Sequence, residues 1–554
     1  MSEFIDSYEA NLLASLSLPM PAMQRAQTLV RLAEHREASG DVLRAEHALA
    51  QANQCLVANR DLVIRHCRIL NKLGRWRESI KHLKAIEMLA SQSAAYWSCC
   101  AESYRHGRDW ESVQNYALNG LKINPDSQTL RLLHACSLEY LGVGAEADNP
   151  FSNVLWNPVA VEMYAAALAQ RGKYDKALNL LEVGLRNFAA DSRLHTAYGL
   201  LKWMVGDRDG FADLALVQLR VEPNNLGLLM ATADLLRRGG RVDEALELLR
   251  LAYHAEAPPA LTSALSLLYS ICDQTGRSLQ LADEAVAAAP YIEWIRRNAA
   301  VVHLSANEPE IASTHCLWGL KRNPIDQEWL ALDGISKRQL NDDRYNENFA
   351  YDKFVRTYDF ASALEAKGEE DSVQTFSEFV DFVRQLHTYS SHPLDQSLRG
   401  GVQMPIEPWE RKNPNFAKFF SALEGPIRRY ITEIGQDDRH PFLSRNTGLF
   451  DFSGAWSVLL KPGGRHVNHI HPEGWISGVC YLDLPPHSAS LSSSLEGSLC
   501  FGEPAFKCRS LKSDFHVTPE AGKMVLFPSY MWHGTIPFTQ GNGRLTLAFD
   551  LFPI

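Results

Sequence analysis

Four short pieces between Trp456 and Phe549 carry side chains suited to metal chemistry: His469-Ile-His471-Pro-Glu473, Ile476 to Leu484, Leu526-Phe-Pro-Ser-Tyr-Met-Trp-His533, and Arg544-Leu-Thr546. Residues two apart on an extended strand point to the same face, so His469 and His471, or His471 and Glu473, can converge on one metal ion. A second strand can bring His533 alongside them. Two histidines plus a third N or O donor, with positions left open, suit a non-haem Fe(II) centre that binds an oxoacid and dioxygen. Arg544 lies eleven residues beyond His533, far enough to return along the next strand. Its guanidinium could clamp a carboxylate with two parallel hydrogen bonds, helped by the Thr546 hydroxyl. Tyr481 and Ser457, read as facing inward on neighbouring strands, are further candidates to hydrogen-bond the oxoacid, with barrel core as the other role open to Tyr481. His466, His487 and His516 read as ordinary surface or packed histidines.

Those side chains need a strand-rich scaffold. From Thr447 onward eight short strands are expected: Ala455 to Lys461, Arg465 to Ile470, Ile476 to Leu484, Gly497 to Phe501, Phe515 to Val517, Lys523 to Phe527, Thr535 to Phe538 and Arg544 to Leu551. Pro-Gly, Pro-Pro and Asn-Gly turns separate them, which reads as a barrel or sandwich. Lys461-Pro-Gly-Gly464 is expected to form a hairpin delivering the histidine strand. Two amphipathic helices, one within 372–388 with Phe376, Phe379, Val380 and Val383 on one face, the other Ala417 to Ile434, would cover one face of the major sheet. Between them His392-Pro-Leu-Asp-Gln-Ser-Leu-Arg-Gly-Gly401 is either a capped loop or a lid, and Gln396 and Arg399 are its substrate candidates. Trp475, beside the histidine motif, is a third.

The order H-x-H or H-x-E, then SGVCYL, then FPSYMWH, then RLT resembles the double-stranded β-helix oxygenases that use Fe(II) and 2-oxoglutarate, in particular a subgroup fused behind tetratricopeptide repeats. The resemblance spans about residues 340 to 554. It implies a jelly-roll barrel, iron held by the motif histidines, and the distal carboxylate of 2-oxoglutarate held by Arg544. Most of the wider superfamily has H-x-D or H-x-E, which would select His471 and Glu473 with His533. The distance to the Tyr481 strand instead fits His469 in the usual histidine place, with His471 where the carboxylate normally stands. Both the three-histidine set, His469, His471 and His533, and the set containing Glu473 therefore stay open.

The N-terminal two-thirds is helical in period and repeats. Turn elements of the form Gly-x-x-(Asp/Glu)-x-Ala, or close variants, begin at Gly40, Gly74, Gly107, Gly142, Gly172, Gly206, Gly240 and Gly276, at intervals of 34, 33, 35, 30, 34, 34 and 36 residues. Units such as Gly172-Lys-Tyr-Asp-Lys-Ala177 and Gly240-Arg-Val-Asp-Glu-Ala245 resemble tetratricopeptide repeats. A helix pair of this size cannot bury its apolar face alone, so such units should stack into a solenoid whose concave surface holds an extended peptide or a partner's helix, or serves in a homo-oligomer. Trp76, Trp97, Trp110 and Trp203 read as repeat core rather than ligand platforms. The expected organisation is multidomain: an all-α tetratricopeptide-repeat solenoid over 1–335, then a jelly-roll (double-stranded β-helix) barrel with supporting helices over 336–554.

Composition narrows the partners. Hydrophobic residues make up 46% and charged residues 22% of 554, a globular balance. A net charge of −10 argues against a nucleic-acid binder held by phosphate contacts. The start Met1-Ser-Glu-Phe-Ile-Asp lacks the basic and apolar regions of a signal peptide, and no run approaches the ~18 apolar residues of a membrane span. Ten scattered cysteines without a C-x-x-C pair suit reduced thiols in a cytoplasm. The expected activity is a 2-oxoglutarate- and Fe(II)-dependent dioxygenase hydroxylating a protein or peptide that the repeats recruit. The alternatives are a scaffold whose barrel has lost catalysis, and a cupin-type metalloenzyme that uses no 2-oxoglutarate and has Arg544 in a structural ion pair.

Overall fold

The computed structural model describes residues 7–141, 157–254, 256–366, 376–387, 394, 396–408, 410–485, 495–508 and 511–554. The chain forms two compact units, one of residues 1–197 with 290–293, the other of 198–289 with 294–554.

In the first unit the repeat spacing becomes helix hairpins: Ala22–Ala38 with Val42–Cys55, Arg60–Lys72 with Trp76–Ala85, Ala94–His106 with Trp110–Ile123, and Pro158–Gln170 with Tyr174–Asn187. Gly40, Gly74 and Gly172 turn the chain between partners at φ of 84°, 72° and 70°, the left-handed region that side chains resist. Gly107 is kept for a different reason. The left-handed residue of its turn is Arg108 (φ 55°), while a Cβ on Gly107 would meet the Trp76 ring at 2.7 Å. Gly142 lies outside the described residues. Asp41 and Asp109 cap the hairpins' second helices, accepting from the backbone N–H of Arg44 and Ser112. The aromatic positions are spent on packing: Trp110 stacks on Tyr140 at 4.0 Å, and Trp97 lies beside Tyr96 and Tyr116.

The second unit has hairpins of its own, Leu226–Arg238 on Val242–Ala252, Pro259–Ile271 on Thr275–Ala288, and Pro309–Arg322 on Gln327–Gln339. Trp203 packs edge-on to Phe211. The glycine comb slips at its end: Gly276 falls inside a helix, and Asp273 at φ 59° makes the turn.

Among the described residues nine strands follow: β1 Arg356–Asp359, β2 Leu398–Pro405, β3 Phe450–His466, β4 Ile476–Asp483, β5 Leu499–Phe501, β6 Phe515–Val517, β7 Lys523–Pro528, β8 His533–Thr535 and β9 Arg544–Pro553. Among the described residues they form two antiparallel sheets rather than a closed barrel. One has the order β1-β7-β4-β9-β3-β2, the other β6-β5-β8. The expected hairpin at Lys461–Gly464 is instead an outward bulge within one long β3. β2 pairs on both sides of it, Gly401 with Leu460 and Arg399 with Arg465. Gly464 allows the approach, since a Cβ there would sit 2.3 Å from the Gly400 carbonyl oxygen.

Alternation along β9 divides the major sheet's faces. Leu545, Leu547, Phe549 and Leu551 pack under the helices Phe376–Gln385 and Pro414–Ile434, against Phe379, Val383, Phe416, Phe419, Leu423 and Ile427. Burial of each such side chain contributes about 1.5–3 kcal/mol. Asn413 caps the longer helix and Pro414 opens it, three residues before the expected start, and it continues through Pro426. Arg544, Thr546, Ala548 and Asp550 therefore face the other way.

The last repeat helix is built into this sheet structure. Trp329, Leu332 and Ile335 share a core with Leu511, with Phe506, Cys508 and Trp532 packed against it. Trp532 Nε1 donates to the Ala331 carbonyl at 3.2 Å, and Arg338 donates to the carbonyls of Gly502 and Lys512 at 2.9 and 2.8 Å. A fragment cut at 336 would expose several apolar side chains at about 1.5–3 kcal/mol each, a large share of a domain's ~5–15 kcal/mol of stability. The expected outcome is that residues 336–554 alone are insoluble or melt far below a fragment begun at 293; equal melting midpoints by calorimetry would show that the last repeat helices are dispensable. No helix among the described residues is long and apolar enough to cross a membrane. All ten cysteines are free thiols.

Candidate metal centre

Past His466 the chain leaves β3 and crosses toward β8, held there by main-chain bonds. His469 and His533 form a two-bond antiparallel bridge, N to O 2.9 and 3.0 Å. The His471 N–H donates to the Ser529 carbonyl at 3.0 Å, and the Ser529 N–H to the Trp475 carbonyl at 3.0 Å. Directly opposed residues share a face, and His471 follows two residues on, so backbone pairing alone gathers the three imidazoles. Their ring centroids lie 4.3 Å (His469–His533), 5.0 Å (His471–His533) and 5.1 Å (His469–His471) apart. One nitrogen from each falls within 4.8 Å of the others.

Each ring's outer nitrogen is already spoken for. His469 Nδ1 lies 2.9 Å from the Val467 carbonyl, His533 Nδ1 2.9 Å from the Met531 carbonyl, and His471 Nδ1 2.6 and 2.7 Å from the two Asp550 oxygens. Carbonyls and carboxylates only accept, so Nδ1 carries a proton in every ring and Nε2 is the nitrogen left to face a metal. His469 Nε2 and His471 Nε2 lie 3.2 Å apart, a separation that a shared proton or a metal ion bound to both can hold. Burial and the neighbouring His471 pull His469 down to about 3, and burial holds His533 well below the usual histidine range, so both are neutral and ready to ligate at neutral pH. The donor set fits a divalent transition metal. Trp456 at 5.5 Å from His471, and Phe527 at 4.6 Å from His533, wall the cluster with aromatic surface.

Of the two ligand registers, the structure brings together His469, His471 and His533. Glu473 is exposed and stands outside the cluster. His466, expected to be uninvolved, stacks 5.6 Å from His469 and bonds Ser397 Oγ at 2.9 Å, a neighbour of the cluster but not a member.

Arg544 is 2% exposed and forms no ion pair among the described residues. Its Nε is buried without an acceptor, and the guanidinium carbon lies 5.0 Å from the centroid of the Tyr481 ring. Burial lowers its affinity for its proton. A buried cation without a counter-charge is costly and marks a seat for an anion. Thr546, opposite both Val458 and Tyr481 in register, lies two residues on along the same face, which also carries Asp550.

Other expected contacts change. Ser457 pairs in register with Leu547, on the helix-covered face, where its hydroxyl bonds His387 Nε2 at 2.8 Å and the Thr546 carbonyl at 3.2 Å. It therefore points away from Arg544. Trp475 is fully buried core with Nε1 donating to the Phe442 carbonyl at 3.0 Å, so it cannot touch a substrate. Gln396 is exposed; Arg399, on β2, donates to the carbonyls of Gln396 and Leu398. His392, Pro393 and Asp395 of the lid reading lie outside the described residues. Sequence reasoning missed Asp550 with its partners Ser477 and Ser529, although an acid within Leu545-Thr-Leu-Ala-Phe-Asp-Leu551, in even step with Arg544, was a usable signal.

Residues 454–550 match the family model described as "Putative 2OG-Fe(II) oxygenase". No curated protein matches the chain. Among solved structures, the yeast Tom70 crystal structure is similar at 12% identity and a TM-score of 0.34, over 79% of this chain and 94% of that one. A Pseudomonas putida prolyl-4-hydroxylase is similar at 18% identity and a TM-score of 0.24, over 37% and 95%. The P58(IPK) TPR domain is similar at 15% identity and a TM-score of 0.19, over 57% and 98%. The chain thus carries helix hairpins at a repeat spacing near 34 residues and, over residues 454–550, a match to that putative oxygenase model.

Proposed function

We propose that the protein is an Fe(II)- and 2-oxoglutarate-dependent dioxygenase that hydroxylates a polypeptide, with recruitment assigned to residues 1–335 and chemistry to 336–554. The observation that carries this reading is the convergence of three imidazoles, one ligand nitrogen of each within 4.8 Å of the others, together with a buried guanidinium without a counter-ion among the described residues of the neighbouring strand β9. His469, His471 and His533 would hold the metal, and Arg544, with Thr546 and Tyr481 beside it, the distal carboxylate of the oxoacid. Bound Fe(II) and 2-oxoglutarate supply the oxidising chemistry from dioxygen. The chain orients the ligand nitrogens through the Val467, Met531 and Asp550 bonds and keeps water out with Trp456 and Phe527. A cupin-type reading would need Arg544 in a structural ion pair, and no such pair exists among the described residues. A scaffold without catalysis leaves the convergent Nε2 atoms unexplained. Since all ten cysteines stand free, we place the protein in a reducing compartment, the cytoplasm.

Anaerobic titration of apo-protein with Fe(II) and then 2-oxoglutarate tests this directly. A weak visible charge-transfer band should grow only when both are present. Metal binding without the band would favour the cupin-type reading, and no metal binding the scaffold.

A further inference from the structure

We infer that Asp550 is a positioning residue of the metal centre, a carboxylate behind His471 that orients the ring and sets negative charge beside the ligand. The inference rests on the reading of the three histidines as metal ligands. Both carboxylate oxygens lie within hydrogen-bond distance of His471 Nδ1, at 2.6 and 2.7 Å. The contact fixes the ring's rotation and its proton position, and with them the aim of Nε2. Ser477, directly opposite Asp550 on β4, donates from Oγ to Oδ1 at 2.7 Å, and Ser529 Oγ lies 2.9 Å from Ser477 Oγ. Ser529 is also the residue whose carbonyl holds the His471 N–H. One serine pair thus fixes the ligand's backbone and the carboxylate that orients its ring.

Gly474 is shaped to this arrangement. A Cβ there would meet Ser529 Oγ at 2.3 Å and Asp550 Cγ at 3.6 Å, so only glycine lets the motif's turn lie over the serine and carboxylate. Among the described residues no lysine or arginine pairs with Asp550; its single ion-pair partner is His471, with both side chains largely buried. A buried carboxylate held by one hydroxyl and one imidazole N–H is undercompensated until positive charge arrives on the far side of that imidazole.

The test uses full-length apo-protein and Co(II) as probe, with calorimetric affinities and metal-free melting midpoints. Asp550→Asn keeps the shape and removes the charge; it should weaken Co(II) binding about ten- to hundred-fold with the metal-free midpoint near wild type. Ser477→Ala, which leaves the carboxylate but loosens it, should weaken binding a few-fold. Unchanged Co(II) affinity in Asp550→Asn, whatever its midpoint, would make Asp550 a stability residue and overturn the inference. If Asp550→Asn does not fold, Ser477→Ala decides: unchanged affinity there also overturns it. Wild-type protein that binds no Co(II) would instead refute the metal centre itself.

Discussion

Replacing His533 with alanine will leave the full-length protein folded and abolish metal binding. The bridge that joins the two ligand segments runs through the main-chain atoms of His469 and His533, so it survives loss of the imidazole. What is lost is one of three converging donors, and the remaining pair cannot define a facial site. The expected fall in Co(II) or Fe(II) affinity exceeds the roughly 10–100-fold typical of losing a residue behind a ligand. His469→Ala should behave the same way. Glu473→Ala should stay within a few-fold of wild type, because that carboxylate is exposed and outside the cluster. Calorimetric titration of the three variants ranks them; the opposite order, with Glu473 essential and His469 dispensable, would move the site to His471, Glu473 and His533.

That choice of register shows where sequence reasoning stops. Two histidines with period two allow both sets, because strand alternation says which residues share a face but not where the strand ends. In the structure β3 ends at His466, and His469 is placed by a lone bridge to His533 that no local pattern announces. The repeats, by contrast, were legible almost throughout, since a 34-residue period repeats one packing problem and its turn solution. Of the expected strands, Phe515 to Val517 coincides with its observed limits and Lys523 to Phe527 stops one residue short of the observed Lys523–Pro528. β1 and β2 were missed. Arg356–Asp359 is four residues long and mostly exposed, and Leu398–Pro405 contains Gly400 and Gly401, so neither carries an apolar alternation. Ser457 lies on the helix-covered face because the register of β3 on β9 sets it opposite Leu547, a pairing that strand alternation alone does not fix. Asp550 was invisible for a more general reason: a residue that acts through another has no motif of its own, and only the fold brings it to His471.

Arg544→Ala will raise the 2-oxoglutarate requirement steeply while Co(II) or Fe(II) affinity stays near wild type, since the guanidinium orients none of the three imidazoles. Truncating one partner of a buried charge-assisted pair costs on the order of 2–5 kcal/mol, hence a weakening of roughly thirty-fold or more. Arg544→Lys should recover only part of this, because an ammonium cannot reproduce two parallel N–H donors. The two roles open to Arg544 also differ in the metal-free protein. A structural arginine would stabilise the apo fold, and its loss would lower the melting midpoint. A ligand-binding arginine that is 2% exposed, with an unsatisfied Nε and no carboxylate partner among the described residues, is a burden on the apo fold. Removing it should leave the apo midpoint unchanged or higher. Isothermal titration with 2-oxoglutarate beside apo-protein calorimetry separates the cases. Unchanged oxoacid affinity together with a lowered apo midpoint would make Arg544 structural and require another seat for the carboxylate.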